Sequence, residues 1–178
     1  MNPALGTLMI LLLARALVGV LRADGEAPDS LQHWKEVVRA KFPKVPQLPT
    51  AELGLRLADT NSPAPLLLDV RKEEEFRVSH IPGAVRVNPD AKATTLAPLL
   101  NRPDRPVVVY CSVGWRSSAL AERLLEAGHT NVANLEGSIF GWANEDRPLV
   151  CETGAALKVH PYNRTFGKLL KPGRRADP

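Results

Sequence analysis

A chain of 178 residues that is 44% hydrophobic can bury one core of ordinary size and leave some residues for terminal extensions, so a single domain is expected. Its 23 basic and 19 acidic residues nearly balance, and the excess sits in the last segment, where Lys158 to Pro178 holds six basic residues and one acid. With no nucleic-acid motif or interleaved aromatics beside it, that tail reads as a solvated chain end. Two cysteines are too few for a disulfide framework, and four histidines without ligand spacing argue against a metal site, so no cofactor is expected.

In chain order, residues 1–23 form an apolar segment. Leu8 to Leu21 is apolar except for Arg15, about the length of a signal-peptide core and short for a membrane span. It suits a signal or anchor, giving an exported, periplasmic or membrane-tethered protein, or else an amphipathic helix on a cytoplasmic one; any membrane contact is expected through this segment alone. Residues 24–49 carry a helix from Leu31 to about Lys41, capped by Asp29 or Ser30, and then Pro43, Pro46 and Pro49, which read as an extended linker and domain boundary. Thr50 is placed as the cap of a second helix running through Leu57.

The next hundred residues, 50–149, alternate strands and helices. Pro65 to Val70 and Val107 to Tyr110 are continuous apolar runs that read as buried strands, with further strands at Ala84–Val87 and Val132–Leu135. A helical turn is predicted over Lys72–Phe76, and helices over Ala91–Leu100 and Ser117–Ala127, the last stopped by Gly128. Strands lacking polar alternation and separated by helices imply an α/β fold, an open, mostly parallel sheet with helices on both faces. Residues 150–178 form a basic C-terminal extension. Its stretch Lys158 to Leu170, with Tyr162, Phe166 and Leu169, is expected to pack on the domain itself.

Ligands of such sheets collect beyond the carboxyl ends of the strands, and Cys111 follows Tyr110 at that point. A polar, glycine-containing turn comes next, then a helix, so backbone NH groups and a helix N-terminus face one sulfur and favour the thiolate. An inert core cysteine would be followed by more core; Ser112, Gly114, Arg116, Ser117 and Ser118 are not that. Cys111 is therefore the candidate nucleophile. Asp69, at the corresponding end of the earlier strand, lies near the same rim.

Three motifs in sequence give the chain a family resemblance. Leu68-Asp69-Val70-Arg71 is followed by Glu75-Phe76 and His80-Ile81-Pro82-Gly83-Ala84; the loop Cys111-Ser112-Val113-Gly114-Trp115-Arg116-Ser117 comes second; Leu135-Glu136-Gly137 running to Trp142 closes the set. From Phe42 to Leu149 the chain resembles single-domain rhodanese-like proteins, a sulfurtransferase family. Ser79 and Ser138 depart from the family pattern, each standing where a glycine is usual.

The resemblance implies transfer of a sulfane sulfur through a Cys111 persulfide, from a small donor such as thiosulfate to a thiol or cyanide-like acceptor, or to an acceptor protein. Loop amides from Ser112 to Ser117 would stabilise the terminal sulfur, Arg116 would hold an anionic donor and lower the thiol pKa, and Gly114 would supply a backbone angle that side chains resist. Trp115 is expected to wall the mouth or to shield the loop from solvent, Val113 to belong to the substrate site, and Ser112 and Ser117 to add hydroxyl donors, with helix capping an equal role for Ser117. Asp69, Arg71 and Glu75 are expected to brace the loop without reacting. Two rivals are weighed. A cysteine-dependent phosphatase or arsenate reductase would cradle a larger anion, and only four residues separate Cys111 from Arg116; a noncatalytic binding module would be expected to lack the nucleophile. Cys151, just past the closing motif, is a candidate to accept sulfur from Cys111 or to form a protecting bridge.

Overall fold

The computed structural model describes residues 30–177. The apolar segment 1–23 and the acidic stretch up to Asp29 lie outside the described residues, so the signal or anchor expectation falls there too. No helix among the described residues is long and apolar enough to cross a membrane.

Five parallel strands form the sheet in the order β1, β5, β4, β2, β3: β1 Gln47–Leu48, β2 Leu66–Asp69, β3 Val85–Arg86, β4 Val107–Tyr110 and β5 Val132–Leu135. The two apolar runs take the centre, with Leu66 opposite Val107 and Asp69 opposite Tyr110. All eight of their residues are buried. Alternate side chains point to opposite faces: Val107, Val109 and Cys111 join one core cluster, and Val108 and Tyr110 join the other. Both faces are covered, which is why these strands show no polar alternation. The helices are α1 Leu31–Lys41, α2 Thr50–Ala58, α3 Glu73–Val78, α4 Ala93–Leu96, α5 Trp115–Glu126, α6 Ser138–Asn144 and α7 Arg164–Gly167.

Three expectations need correction. The proline stretch after α1 is not a spacer: Gln47 and Leu48 pair with Asn134 and Leu135 as the edge strand β1, and Val38, Phe42 and Val45 are buried in the core. Proline removes donors but leaves the carbonyls, and those of Pro46 and Leu48 accept the amides of Asn134 and Glu136. Thr50 does not cap α2, whose first turn starts from Pro49; its hydroxyl donates to Glu145 instead. The helix expected over Ala91–Leu100 shrinks to one turn, Ala93–Leu96. Ser30, by contrast, caps α1 by accepting the His33 amide at 3.0 Å.

The C-terminal segment is part of the body. Leu149–Cys151 and Gly154–Ala156 form an antiparallel hairpin, β6 and β7. Val159, Leu169 and Leu170 are buried in the second cluster, beside Trp142 and Phe140. Burying an aliphatic side chain of this size contributes roughly 1.5–3 kcal/mol, so these three anchors supply a share of what holds the segment against the entropy of ordering it. Two of its cations share one partner: Arg174 Nη2 and Lys171 Nζ lie 2.6 and 3.5 Å from the Asp146 carboxylate.

α1 lies across the carboxyl ends of β4 and β5. Val38 approaches Gly114 just after β4, and Leu31 approaches Gly137 just after β5. One end of the sheet is thereby roofed by segments from both ends of the described chain.

Candidate active site

β4 carries Cys111 to the carboxyl edge of the sheet, and the chain turns through Ser112, Val113 and Gly114 into α5. Gly114 adopts φ 109°, a left-handed conformation that side chains resist, and a Cβ there would stand 3.2 Å from Asn134 Nδ2. Its amide donates to Cys111 Sγ at 3.2 Å. Burial opposes ionisation of this thiol, which is 2% exposed; the Arg116 charge, the Ser117 hydroxyl and amide, and the Gly114 amide outweigh it and hold the pKa below the ordinary thiol value. The Ser117 hydroxyl has one proton to give and also lies 2.6 Å from Asn134 Oδ1. It does not cap α5, a place taken by Gly114.

A direct consequence is measurable. The rate of Cys111 alkylation by iodoacetamide rises with the thiolate fraction, so its pH midpoint is expected below that of a free cysteine. Arg116→Gln removes the cation while keeping a donor for its partner, and is expected to move the midpoint upward; an unchanged midpoint would exclude Arg116 from activating the sulfur.

Ser138 explains one departure from the family pattern. At φ 50° it takes the left-handed conformation that a glycine would adopt easily. Its hydroxyl accepts the Cys111 amide at 3.1 Å and faces the Leu135 carbonyl at 3.2 Å, tying Cys111 to the turn after β5. Ser79, the other departure, has φ −172°, an extended conformation open to any residue.

Arg116 is not a free cation. Its two terminal nitrogens each lie 2.9 Å from a Glu75 carboxylate oxygen, and Nη2 also reaches Ser112 Oγ at 3.0 Å. Glu75 is 1% exposed and accepts in addition from Ser112 Oγ at 3.1 Å and from the Lys72 amide at 3.0 Å. Burial pushes its carboxyl pKa up, but the Arg116 and Lys72 hydrogen bonds prevail and hold it below the usual range. Burial likewise pulls against the Arg116 charge, and Glu75 with the cysteine raises its pKa beyond the ordinary guanidinium value. Glu75 thus touches two residues of the loop, a more direct role than its sequence position beside Phe76 suggests.

Asp69 and Arg71 lie beneath the loop, both fully buried. Arg71 Nη2 and Nε approach Asp69 Oδ2 at 2.6 and 3.1 Å; the same guanidinium donates to the carbonyls of Ser79 at 2.6 Å and Glu75 at 3.3 Å. The pair clamps the backbone of α3, and α3 presents Glu75. Neither residue is among those lining the cavity.

Above the sulfur opens a cavity of about 240 Å³. Cys111, Ser112, Val113 and Arg116 line its floor, and Trp115, 40% exposed, forms a wall. Trp34 from α1 and Tyr162 and Phe166 from the C-terminal segment complete it. Sequence reasoning had Tyr162 and Phe166 packing on the domain and Trp34 on the buried face of its helix, without bringing them to the site. The arrangement can generate a thiolate, hold negative charge on or next to it, and shelter a ligand from water.

The family model for the rhodanese-like domain matches residues 50–145, more than half of the chain. The chain belongs to the rhodanese-like family. A sulfurtransferase of Allochromatium vinosum is 33% identical over 110 residues, covering 62% of this chain and 99% of that protein. The uncharacterized protein YibN of Escherichia coli is 34% identical over 86 residues, which span 48% of this chain and 60% of that relative. Among solved structures, a thiosulfate sulfurtransferase from Pseudomonas aeruginosa superposes with a TM-score of 0.56 at 26% identity, covering 80% of this chain and 26% of that one. A rhodanese-like domain from Anabaena gives 0.53 at 26% identity, covering 60% and 79%.

The rhodanese-like match leaves Trp34, Tyr162 and Phe166 outside its limits. Cys151 stands apart from the cavity on β6, a free thiol with Sγ 3.3 Å from Thr153 Oγ1. His80 is stacked on Phe76 with ring centroids 3.8 Å apart and Nδ1 3.1 Å from the Phe76 carbonyl, a structural arrangement. Among the described residues no group of histidine, cysteine and acidic side chains could hold a metal ion.

Proposed function

We propose that this rhodanese-like protein is a sulfurtransferase that carries a sulfane sulfur as a persulfide on Cys111. The observation that carries the reading is Cys111 lining the cavity with the Gly114 amide 3.2 Å from its Sγ. In the first step the thiolate attacks the outer sulfur of a donor such as thiosulfate. A new sulfur–sulfur bond forms, the donor's own sulfur–sulfur bond breaks, and its electron pair leaves on sulfite. In the second step an acceptor thiolate attacks the terminal sulfur of the persulfide, and the electron pair of the cleaved bond returns to Cys111. No proton need be moved in either step when the nucleophile is already ionised, which fits a cavity whose described lining holds no histidine.

The persulfide's terminal sulfur is anionic, and a positive helix end with loop amides offsets that charge without reorganising. Arg116, paired with Glu75, serves here to depress the thiol pKa and brace Ser112. Incubation with thiosulfate is expected to add the mass of one sulfur atom to the intact protein, on the Cys111 peptide, and cyanide or a thiol to remove it. No added sulfur from any sulfane donor would leave the noncatalytic module as the reading.

A further inference from the structure

Resting on that reading, we propose that the chamber over Cys111 selects sulfur carriers bearing an apolar or aromatic organic group in preference to inorganic thiosulfate. Three observations combine. First, the cation nearest the sulfur is occupied: Glu75 takes both terminal nitrogens of Arg116, and the ring of Tyr162 lies over the guanidinium at 5.0 Å. A dianion entering beside the Cys111 thiolate would meet a neutral ion pair instead of an unspent positive charge, with desolvation to overcome.

Second, the walls are aromatic and the space exceeds the need of a small inorganic anion. Trp34 and Phe166 meet at 4.9 Å between ring centroids, Tyr162 packs edge-on to Phe166 at 5.6 Å, and Trp115 faces the same 240 Å³. Such surfaces reward the burial of carbon and of ring faces, and give little to a hydrated anion. Third, the wall is built deliberately. Tyr162 sits at φ 64°, a left-handed conformation costly for a residue with a side chain, and the anchored C-terminal segment holds it there. The result sets an aromatic ring on the wall of the cavity that Cys111 lines.

Thiosulfonates test this because one reactive group can be paired with different organic groups. The Cys111 thiolate attacks their outer sulfur, the persulfide bond forms, and the sulfur–sulfonyl bond breaks with its electron pair on the departing sulfinate, so the step balances without another reactant. Loading rates are read by intact mass for thiosulfate, methanethiosulfonate and benzenethiosulfonate, in the full protein and in Tyr162→Ala and Phe166→Ala, each referenced to the rate of the same donor with free cysteine.

Benzenethiosulfonate is expected to gain about tenfold or more over methanethiosulfonate and thiosulfate after that correction. Both variants are expected to lose most of this gain, read within each variant as the ratio of benzenethiosulfonate to methanethiosulfonate loading, so that a general loss of nucleophile or fold cancels. Equal corrected rates for the three donors, or a phenyl advantage that survives both variants, would overturn the selectivity. Failure of all three donors to load the wild type would instead overturn the persulfide reading beneath it.

Discussion

Replacement of Cys111 by serine is expected to abolish sulfur loading and reduce any transferase turnover by about 10³-fold or more, the scale seen when a covalent nucleophile is removed. The change is nearly isosteric at a position with 2% exposure. The hydroxyl inherits the Gly114 amide as a donor and the Ser117 hydroxyl as a neighbour, so no buried polar group is orphaned. Stability is therefore expected to stay within about 1 kcal/mol of wild type, checked by urea unfolding. What disappears is the low-pKa sulfur, since an alcohol in the same place stays protonated at neutral pH and cannot form a persulfide. Sulfur still bound to the Cys111→Ser protein after thiosulfate treatment would move the carrier role to Cys151, the other thiol.

The central strands and the Cys111 loop were legible because their signals are local. Four consecutive buried residues in Leu66–Asp69 and in Val107–Tyr110 leave one reading once helices intervene, and the cysteine at a strand end points to the rim before any coordinates exist. What stayed hidden depends on distant pairing. Two residues, Gln47 and Leu48, are too short a strand to show periodicity, and flanking prolines mask an edge strand as a linker. The cavity walls are a harder case. Trp34 lies 77 positions before Cys111 and Phe166 lies 55 after it, so only the folding of both flanks over the sheet end brings them together. Their aromatic type was a signal; their common destination was not. Glu75 was visible as part of a motif, but its grip on Arg116 arises from the approach of α3 to the start of α5.

The brace beneath that grip yields the second large effect. Arg71→Met leaves Asp69 fully buried without its guanidinium, retaining the Arg71 backbone amide at 2.9 Å, and strips the Glu75 and Ser79 carbonyls of their shared donor. Removing one partner of a buried ion pair costs about 3–5 kcal/mol, since the other charge stays desolvated. For a domain of this size that lowers the midpoint of thermal unfolding by about 10 °C or more. Arg71→Met combined with Asp69→Leu removes both charges and is expected to recover part of the loss. Stability alone would not link this pair to chemistry, so a second readout is needed. Arg71 fixes the backbone of α3, α3 fixes Glu75, and Glu75 fixes Arg116 beside the sulfur; slack in the first contact must therefore reach the thiol. At a temperature where Arg71→Met remains folded, the pH midpoint of Cys111 alkylation is expected to rise, in the same direction as in Arg116→Gln but by less. A midpoint identical to wild type would confine Arg71 and Asp69 to holding the fold, with the loop keeping its own geometry through Ser138 and Gly114.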